Sequence, residues 1–112
     1  MNSNADVSSN AVDAPRVAPP FVMNLSGEMV IDFAHEILES FKSIPEDAGH
    51  VVFEASSLER IDLSGLQIIT GFVRDASSRG VLVQWQLPPE SVFSIARLLG
   101  MESLAALTNR AA

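Results

Sequence analysis

The sequence predicts an α/β domain with a small, mixed and largely parallel sheet of about four strands, covered by three to four helices. Segments of strand character alternate with segments of helical periodicity, in the order strand, helix, strand, helix, strand, helix. This alternation is typical of parallel strands joined by crossover helices. With 112 residues, 47% of them apolar, the chain has the length of one domain and can build a modest core.

Three apolar runs have the length and alternation of strands. They are FVMNLSG at residues 21–27, HVVFEA at residues 50–55 and VLVQWQL at residues 81–87. Gly27 is expected to end the first strand, and a loop is expected at residues 56–58 after the second.

Three apolar stripes with helical spacing follow these runs. The first, which Pro45 ends, consists of Val30, Phe33, Ala34, Ile37, Leu38, Phe41 and Ile44. The second, which Gly80 closes, consists of Leu66, Ile69, Phe72, Val73 and Ala76. The third, which Gly100 ends, consists of Val92, Phe93, Ile95, Ala96, Leu98 and Leu99.

The two ends of the chain differ from this pattern. Residues 1–20 are rich in Asn, Ser, Ala and Pro without periodicity, so we expect a disordered N-terminal tail there. The domain is expected at residues 21–108, with a C-terminal tail at residues 109–112. The chain begins without the features of a secretory signal, and no apolar run approaches the ~18 residues of a membrane span. A cytoplasmic protein that does not insert into the membrane is therefore expected.

Composition and motifs argue against several functions. The net charge of −7 disfavours nucleic acid, which needs a clustered basic face. The chain has no cysteine, and therefore no disulfide, thiolate zinc site or thiol nucleophile. His35 precedes Glu39 by one helical turn without an HExxH motif, and we interpret this as an exposed pair and not a metal site. Neither GxSxG nor GxxxxGK[ST] occurs. We expect no enzyme, no metal and no cofactor.

The stretch RIDLSGLQIITGF, residues 60–72, places polar residues directly before an apolar helix. If Ser64 is the N-cap, Gln67 lies at the third helical position and completes a capping box. Leu63 and Ile68 would then form a hydrophobic staple, and Asp62 would place a negative charge beside the positive end of the helix. This interpretation is purely structural. The alternative is that another protein binds the stretch.

The sequence DLSGL at residues 62–66 resembles the D-[ST]-[ST]-G-L signature of STAS domains. This family includes bacterial anti-sigma-factor antagonists and the cytoplasmic tails of sulfate transporters. NLSGEM at residues 24–29 is similar to the end of a family strand, and residues 79–104 are similar to its late strand, proline turn and helix. The three matches occur in the family's order and extend over most of residues 21–107. The resemblance implies the same STAS-like α/β fold that the pattern predicts.

The resemblance also implies a site. It places a partner-binding or regulatory surface at Asp62, Leu63, Ser64, Gly65 and Leu66. Leu63 stands where phospho-switched relatives carry the acceptor hydroxyl, and Ser64 corresponds to the second hydroxyl of the motif. The protein is therefore expected either to bind its partner constitutively or to use Ser64 as its phosphoacceptor. The constitutive alternative is favoured because capping alone explains Ser64. A second departure is AVDAPRVAPP at residues 11–20, where the family normally has an opening strand.

Three functional hypotheses follow from the resemblance. The leading one is a non-enzymatic interaction module of the anti-sigma-factor antagonist type in bacterial signal transduction and transcription regulation. It would bind a regulatory serine kinase, an anti-sigma-like protein or another signalling protein, including those of chemotaxis or two-component systems. The second is a cytoplasmic STAS subunit that docks on the ATPase of an ABC-type membrane transporter. The third is a small-ligand carrier with a cleft near the same helix start.

Overall fold

A computed structural model describes residues 19–111 of the chain. Its strands are β1 (Phe21–Met29), β2 (His50–Ile61) and β3 (Leu82–Gln86). Its helices are a short 3-10 helix (Ile31–Phe33), α1 (Ala34–Phe41), α2 (Leu63–Ser78) and α3 (Glu90–Leu98). Strands and helices alternate in the predicted order. The predicted N-terminal tail lies outside the described residues, except for its last two positions.

The three strands form one sheet in the order β1-β2-β3, and both pairings are parallel. The predicted α/β class is confirmed, although the described sheet has three strands and not four, and is parallel and not mixed. α1 connects β1 to β2, and α2 connects β2 to β3, as crossover helices do in parallel sheets. β1 and β2 end together at the paired residues Met29 and Ile61, which we call the carboxyl edge. The 3-10 helix and α2 both begin at this edge.

Two strands run further than the sequence predicts. β1 continues through Gly27, which adopts a φ of 68°, and its pairing register with β2 shifts on both sides of this residue. β2 continues through residues 56–58 to Ile61. The predicted strand end at Gly27 and the predicted loop were therefore wrong. A bulge accommodates the positive φ of the glycine while strand pairing continues beyond it.

The core lies between the sheet and the helices around Phe53 of β2, which is fully buried. The Phe53 ring is 5.7 Å from the Phe41 ring of α1 and 5.8 Å from the Phe72 ring of α2, between centroids. On its other side, the Trp85 ring of β3 lies at 5.3 Å in an edge-on arrangement. Tilted and edge-on aromatic pairs add to the free energy of burial. This cluster joins both crossover helices to the centre of the sheet.

The helical stripes are confirmed for α2 and only in part for α1. Leu66, Ile69, Val73 and Ala76 of the α2 stripe are all buried. Phe33 and Leu38 of the first stripe are 44% and 47% exposed, because no other described element covers them. Among residues 19–111, no helix combines the length and apolar character that a membrane crossing requires.

Residues 109–111, expected to lie in a C-terminal tail, follow the outer side of β3. The backbone N–H of Trp85 donates to Asn109 O at 2.9 Å, and the N–H of Ala111 donates to Trp85 O at 2.8 Å. The Asn109 side chain donates to Val83 O at 2.8 Å. These bonds satisfy backbone groups that an edge strand otherwise leaves unpaired.

Candidate partner-binding surface

Asp62 is the N-cap of α2 and joins two helix starts. Its Oδ1 accepts a hydrogen bond from the backbone N–H of Gly65, and its Oδ2 accepts one from the N–H of Ile31, both at 3.1 Å. Its own backbone N–H donates to Met29 O at 3.2 Å. Because the first N–H groups of a helix have no partner within the helix, one carboxylate here satisfies donors from both the 3-10 helix and α2. Asp62 therefore fixes the geometry of the carboxyl edge.

The predicted capping role of Ser64 was wrong. Ser64 is the second residue of α2, so Gln67 cannot complete a capping box with it. Leu63 and Ile68 both lie within the helix and do not form the predicted staple. Aspartate and serine are comparable N-cap residues, but only the carboxylate at position 62 can also accept a bond from Ile31.

Gly65 and Leu66 are buried against the strand ends and the core. A Cβ atom on Gly65 would overlap the Met29 carbonyl oxygen and lie 2.8 Å from Cγ1 of Ile61. The absence of a side chain thus lets the first turn of α2 lie directly against β1. Leu66 has no exposed surface and belongs to the core cluster. Both residues serve the packing of α2.

Leu63 and Ser64 are the motif residues that reach the surface. Leu63 is 46% exposed. Ser64 is half-buried, and no hydrogen bond joins its hydroxyl to another described residue. The five predicted site residues are therefore contiguous in space, but three are held in the packing and bonding of the fold and two reach the surface.

An open apolar groove lies between α1 and α2 and reaches Ser64. It has a volume of about 610 Å³ and is lined by Ile31, Ala34, Leu38, Phe41, Lys42, Ser64, Gln67, Ile68, Gly71 and Phe72. Ile31 is 64% exposed and Leu38 is 47% exposed. Contiguous exposed apolar surface of this kind commonly marks an interaction site. Sequence periodicity could not reveal the groove, because Leu38 has the same spacing as a core residue.

The histidines and carboxylates do not assemble a metal site in the described part of the chain. No group of three or more His, Asp or Glu residues among residues 19–111 is placed to hold an ion. Glu39 bonds Lys42 at 3.0 Å, and His35 is exposed. His50 is half-buried, with Nε2 2.7 Å from Oε1 of Gln84.

Comparisons with known proteins agree with the fold. The family model described as "Mlab, STAS domain" matches residues 12–108. The crystal structure of a sulfate transporter family protein from Wolinella succinogenes is similar with a TM-score of 0.65 and 14% sequence identity. The alignment covers 80% of this chain and 75% of that chain. Comparison with curated proteins gives no match. The family match over most of the chain, on a fold of this topology, shows that the protein belongs to the STAS domain family.

Proposed function

We propose that this STAS domain is a non-enzymatic regulatory module that binds a partner protein through the α1–α2 groove and the adjoining residues Leu63 and Ser64. We call this combined area the docking surface. The observation that carries the proposal is the exposure of Ile31 and Leu38 in a groove that reaches Ser64, together with the exposure of the preceding residue, Leu63. Covering apolar surface contributes roughly 25 cal/mol per Å². A partner that covers three large apolar side chains can therefore gain several kcal/mol.

The signature motif supports this surface without forming most of it. Asp62 caps α2 and Gly65 allows its close packing, so together they set where Leu63 and Ser64 emerge. Interfaces depend on a few apolar anchors held in fixed positions. The motif supplies the rigid support, and Leu63 supplies one of the anchors.

A protein partner suits the groove better than a small ligand does. The volume of about 610 Å³ falls within the range of small-molecule sites. Such sites, however, enclose most of the ligand surface, whereas this groove is open to solvent along its length. An apolar face of another protein would cover it more completely.

Docking is proposed to be constitutive. Ser64 lies in the first turn of α2 on the lining of the groove, so a docked partner would cover its hydroxyl. The neighbouring acceptor position is occupied by Leu63. A phosphate on Ser64 would add about −1.5 to −2 charges to an apolar groove and would oppose docking. The alternative, regulation through Ser64, therefore predicts release of the partner upon phosphorylation.

Two classes of partner fit the docking surface. The motif resemblance favours a cytoplasmic signalling protein, such as a regulatory serine kinase or an anti-sigma-like protein. The second candidate is the ATPase of a membrane transporter, with this chain as its STAS subunit. That candidate is favoured by the structural likeness to a sulfate transporter family protein, and constitutive docking suits a permanent subunit.

Affinity capture with matched variants tests the proposal. Wild type, Leu38→Glu and Leu98→Glu are used to capture proteins from the native lysate, and bound proteins are identified by mass spectrometry. Leu98 is 80% exposed on α3 and lies outside the groove, so it controls for a new surface charge. We expect Leu38→Glu to lose the partner by about tenfold or more, since a charge would be buried in the interface. Equal capture by wild type and Leu38→Glu would contradict the proposal.

A further inference from the structure

A second depression lies along α2 on the side away from the groove. It has a volume of about 280 Å³ and is formed by α2 and the turn that follows α3. Its lining residues are Thr70, Val73, Arg74, Ser77, Ser103 and Leu104. None of them lines the groove, so the two sites use different faces of the same helix. We call it the Arg74 depression.

Arg74 differs from the other basic residues in its surroundings. Four basic residues of the described chain pair with carboxylates, namely Lys42, Arg60, Arg79 and Arg97. Arg110 lies over the Phe93 ring, with its guanidinium carbon 4.2 Å from the ring centroid. Within residues 19–111, Arg74 is the one basic side chain that has neither an ion pair nor a ring contact.

No carboxylate lines the Arg74 depression. The acids next to its lining residues in the sequence pair with other arginines: Asp75 contacts Arg79 at 3.1 Å, and Glu102 contacts Arg97 at 3.5 Å. The hydroxyl groups of Ser77 and Ser103 bond no other described residue and can donate. A guanidinium group binds a carboxylate through two parallel hydrogen bonds. The lining therefore suits a carboxylate that comes from another molecule.

Leu104 adds an exposed apolar side chain to this depression. It is 62% exposed, although its neighbours Ala105 and Leu107 are fully buried. Nε1 of the buried Trp85 donates to Ala105 O at 2.8 Å, which fixes the turn. Leu104 is thus held outward by a rigid support. An arginine beside a fixed apolar side chain is a common arrangement in protein interfaces.

Leu63 lies on the same face of α2 as the Arg74 depression. Thr70, Arg74 and Ser77 follow it by seven, eleven and fourteen residues, a spacing that keeps all four side chains on one face of a helix. Eleven residues of helix correspond to about 16 Å. A partner that contacts Leu63 can therefore extend along α2 to Arg74.

From these observations we infer that the partner protein continues past Leu63 and places an aspartate or glutamate carboxylate in the Arg74 depression. Arg74 binds the carboxylate, Ser77 and Ser103 donate hydrogen bonds to it, and an apolar neighbour of the acid covers Leu104. The inference rests on the proposed function and adds a second contact that specifies the chemistry of the partner.

Arg74→Gln and a matched arginine variant test this contact. The partner is identified as the protein that wild type captures and Leu38→Glu loses, and its affinity for each variant is measured by calorimetry. Arg74→Gln should bind about tenfold more weakly than wild type. Arg60→Gln removes the same charge from an exposed residue outside both sites and should stay within about twofold. Equal affinities of wild type and Arg74→Gln, or equal losses in both variants, would overturn the inference.

Charge reversal identifies the group that Arg74 binds. Arg74→Glu should bind more weakly than Arg74→Gln, because two carboxylates would then meet. Each aspartate and glutamate of the partner is replaced by lysine in turn, and one replacement should restore at least about tenfold of the affinity for Arg74→Glu. If no replacement restores binding, the carboxylate contact is wrong. If phosphatase treatment of the partner removes the difference between wild type and Arg74→Gln, the bound group is a phosphate and the inference is also overturned.

The Leu38→Glu variant separates the inference from the proposed function. If Leu38→Glu loses the native partner while Arg74→Gln binds it as wild type does, the docking surface stands and the carboxylate contact is wrong. If Leu38→Glu captures the same proteins as wild type, the docking surface itself is wrong.

Discussion

The five residues of the DLSGL motif fall into two groups with opposite environments. Asp62, Gly65 and Leu66 face the strand ends and the core, whereas Leu63 is exposed to solvent and Ser64 lines the groove. This division follows from the helix, in which positions i, i+3 and i+4 share one face. The D, G and L of the motif therefore specify how α2 begins, and the two positions between them are available for recognition.

This comparison changes how the motif should be tested. Replacing Asp62 removes a cap shared by two helical segments, so a loss of binding in Asp62→Ala would not distinguish a lost contact from an altered fold. Substitutions at Leu38 and Leu63 act on exposed side chains and report on docking more directly.

The largest difference is expected between the two leucines. Leu66→Ala should lower the free energy of unfolding by about 2–5 kcal/mol, because it leaves a cavity beside a side chain with no exposed surface. Leu63→Ala should cost less than about 1 kcal/mol, since that side chain is already 46% exposed. Urea unfolding of both variants measures the difference. Similar losses would show that Leu63 also belongs to the core.

The two glycines of α2 should respond in opposite directions. Gly65→Ala should destabilise the protein by about 1–3 kcal/mol, because its methyl group would overlap the Met29 carbonyl oxygen. Gly71 has no heavy atom within 4 Å of an added Cβ, so Gly71→Ala should stabilise the helix by up to about 1 kcal/mol. Thermal unfolding followed by circular dichroism can compare them. A tolerated alanine at position 65 would contradict the proposed close packing.

A smaller difference is expected between the cap and its neighbour. Asp62→Ala should cost about 0.5–2 kcal/mol, since the backbone N–H groups of Gly65 and Ile31 lose their acceptor. Ser64→Ala should change stability by no more than about 0.5 kcal/mol, because its hydroxyl bonds no other described residue. Chemical denaturation of both variants tests this order, and a larger loss in Ser64→Ala would restore the capping-box interpretation.

The fold was more predictable than the details of the helix start. The α2 stripe of Leu66, Ile69, Val73 and Ala76 was read correctly, because periodicity is a local property of the sequence. The N-cap was misassigned because Asp62 and Ser64 satisfy the local rules equally well. The bond from Ile31, 31 residues away in the chain, distinguishes them, and no local pattern encodes that contact.

Of the proposed docking surface, the sequence singled out only the part formed by the motif. Leu63 could be singled out because it replaces a hydroxyl in the signature, but Leu38 was assigned to the apolar stripe of the first helix and Ile31 to no site. Whether an apolar stripe is covered depends on which elements pack beside it. For α1, one side meets the sheet and another borders the open groove.

The last prediction concerns phosphorylation. We expect the wild-type protein to carry no phosphate at the docking surface. Protein isolated from its native cells, or incubated with ATP and a captured kinase partner, should keep its unmodified mass at the docking surface. Ser64 is half-buried in the first turn of α2, and Leu63 offers no hydroxyl. Intact-mass measurement and peptide mapping check this outcome.

The Leu63→Ser variant makes that negative result informative. Position 63 is about half exposed at the start of α2, beside backbone N–H groups that favour a phosphate. If the partner is a kinase of the kind that modifies switched relatives, this variant should gain one phosphate while wild type and Ser64→Ala gain none. The added charge of about −1.5 to −2 should then weaken partner binding. A phosphate on wild-type protein that maps to Ser64 and releases the partner would show instead that the second hydroxyl of the motif is the switch.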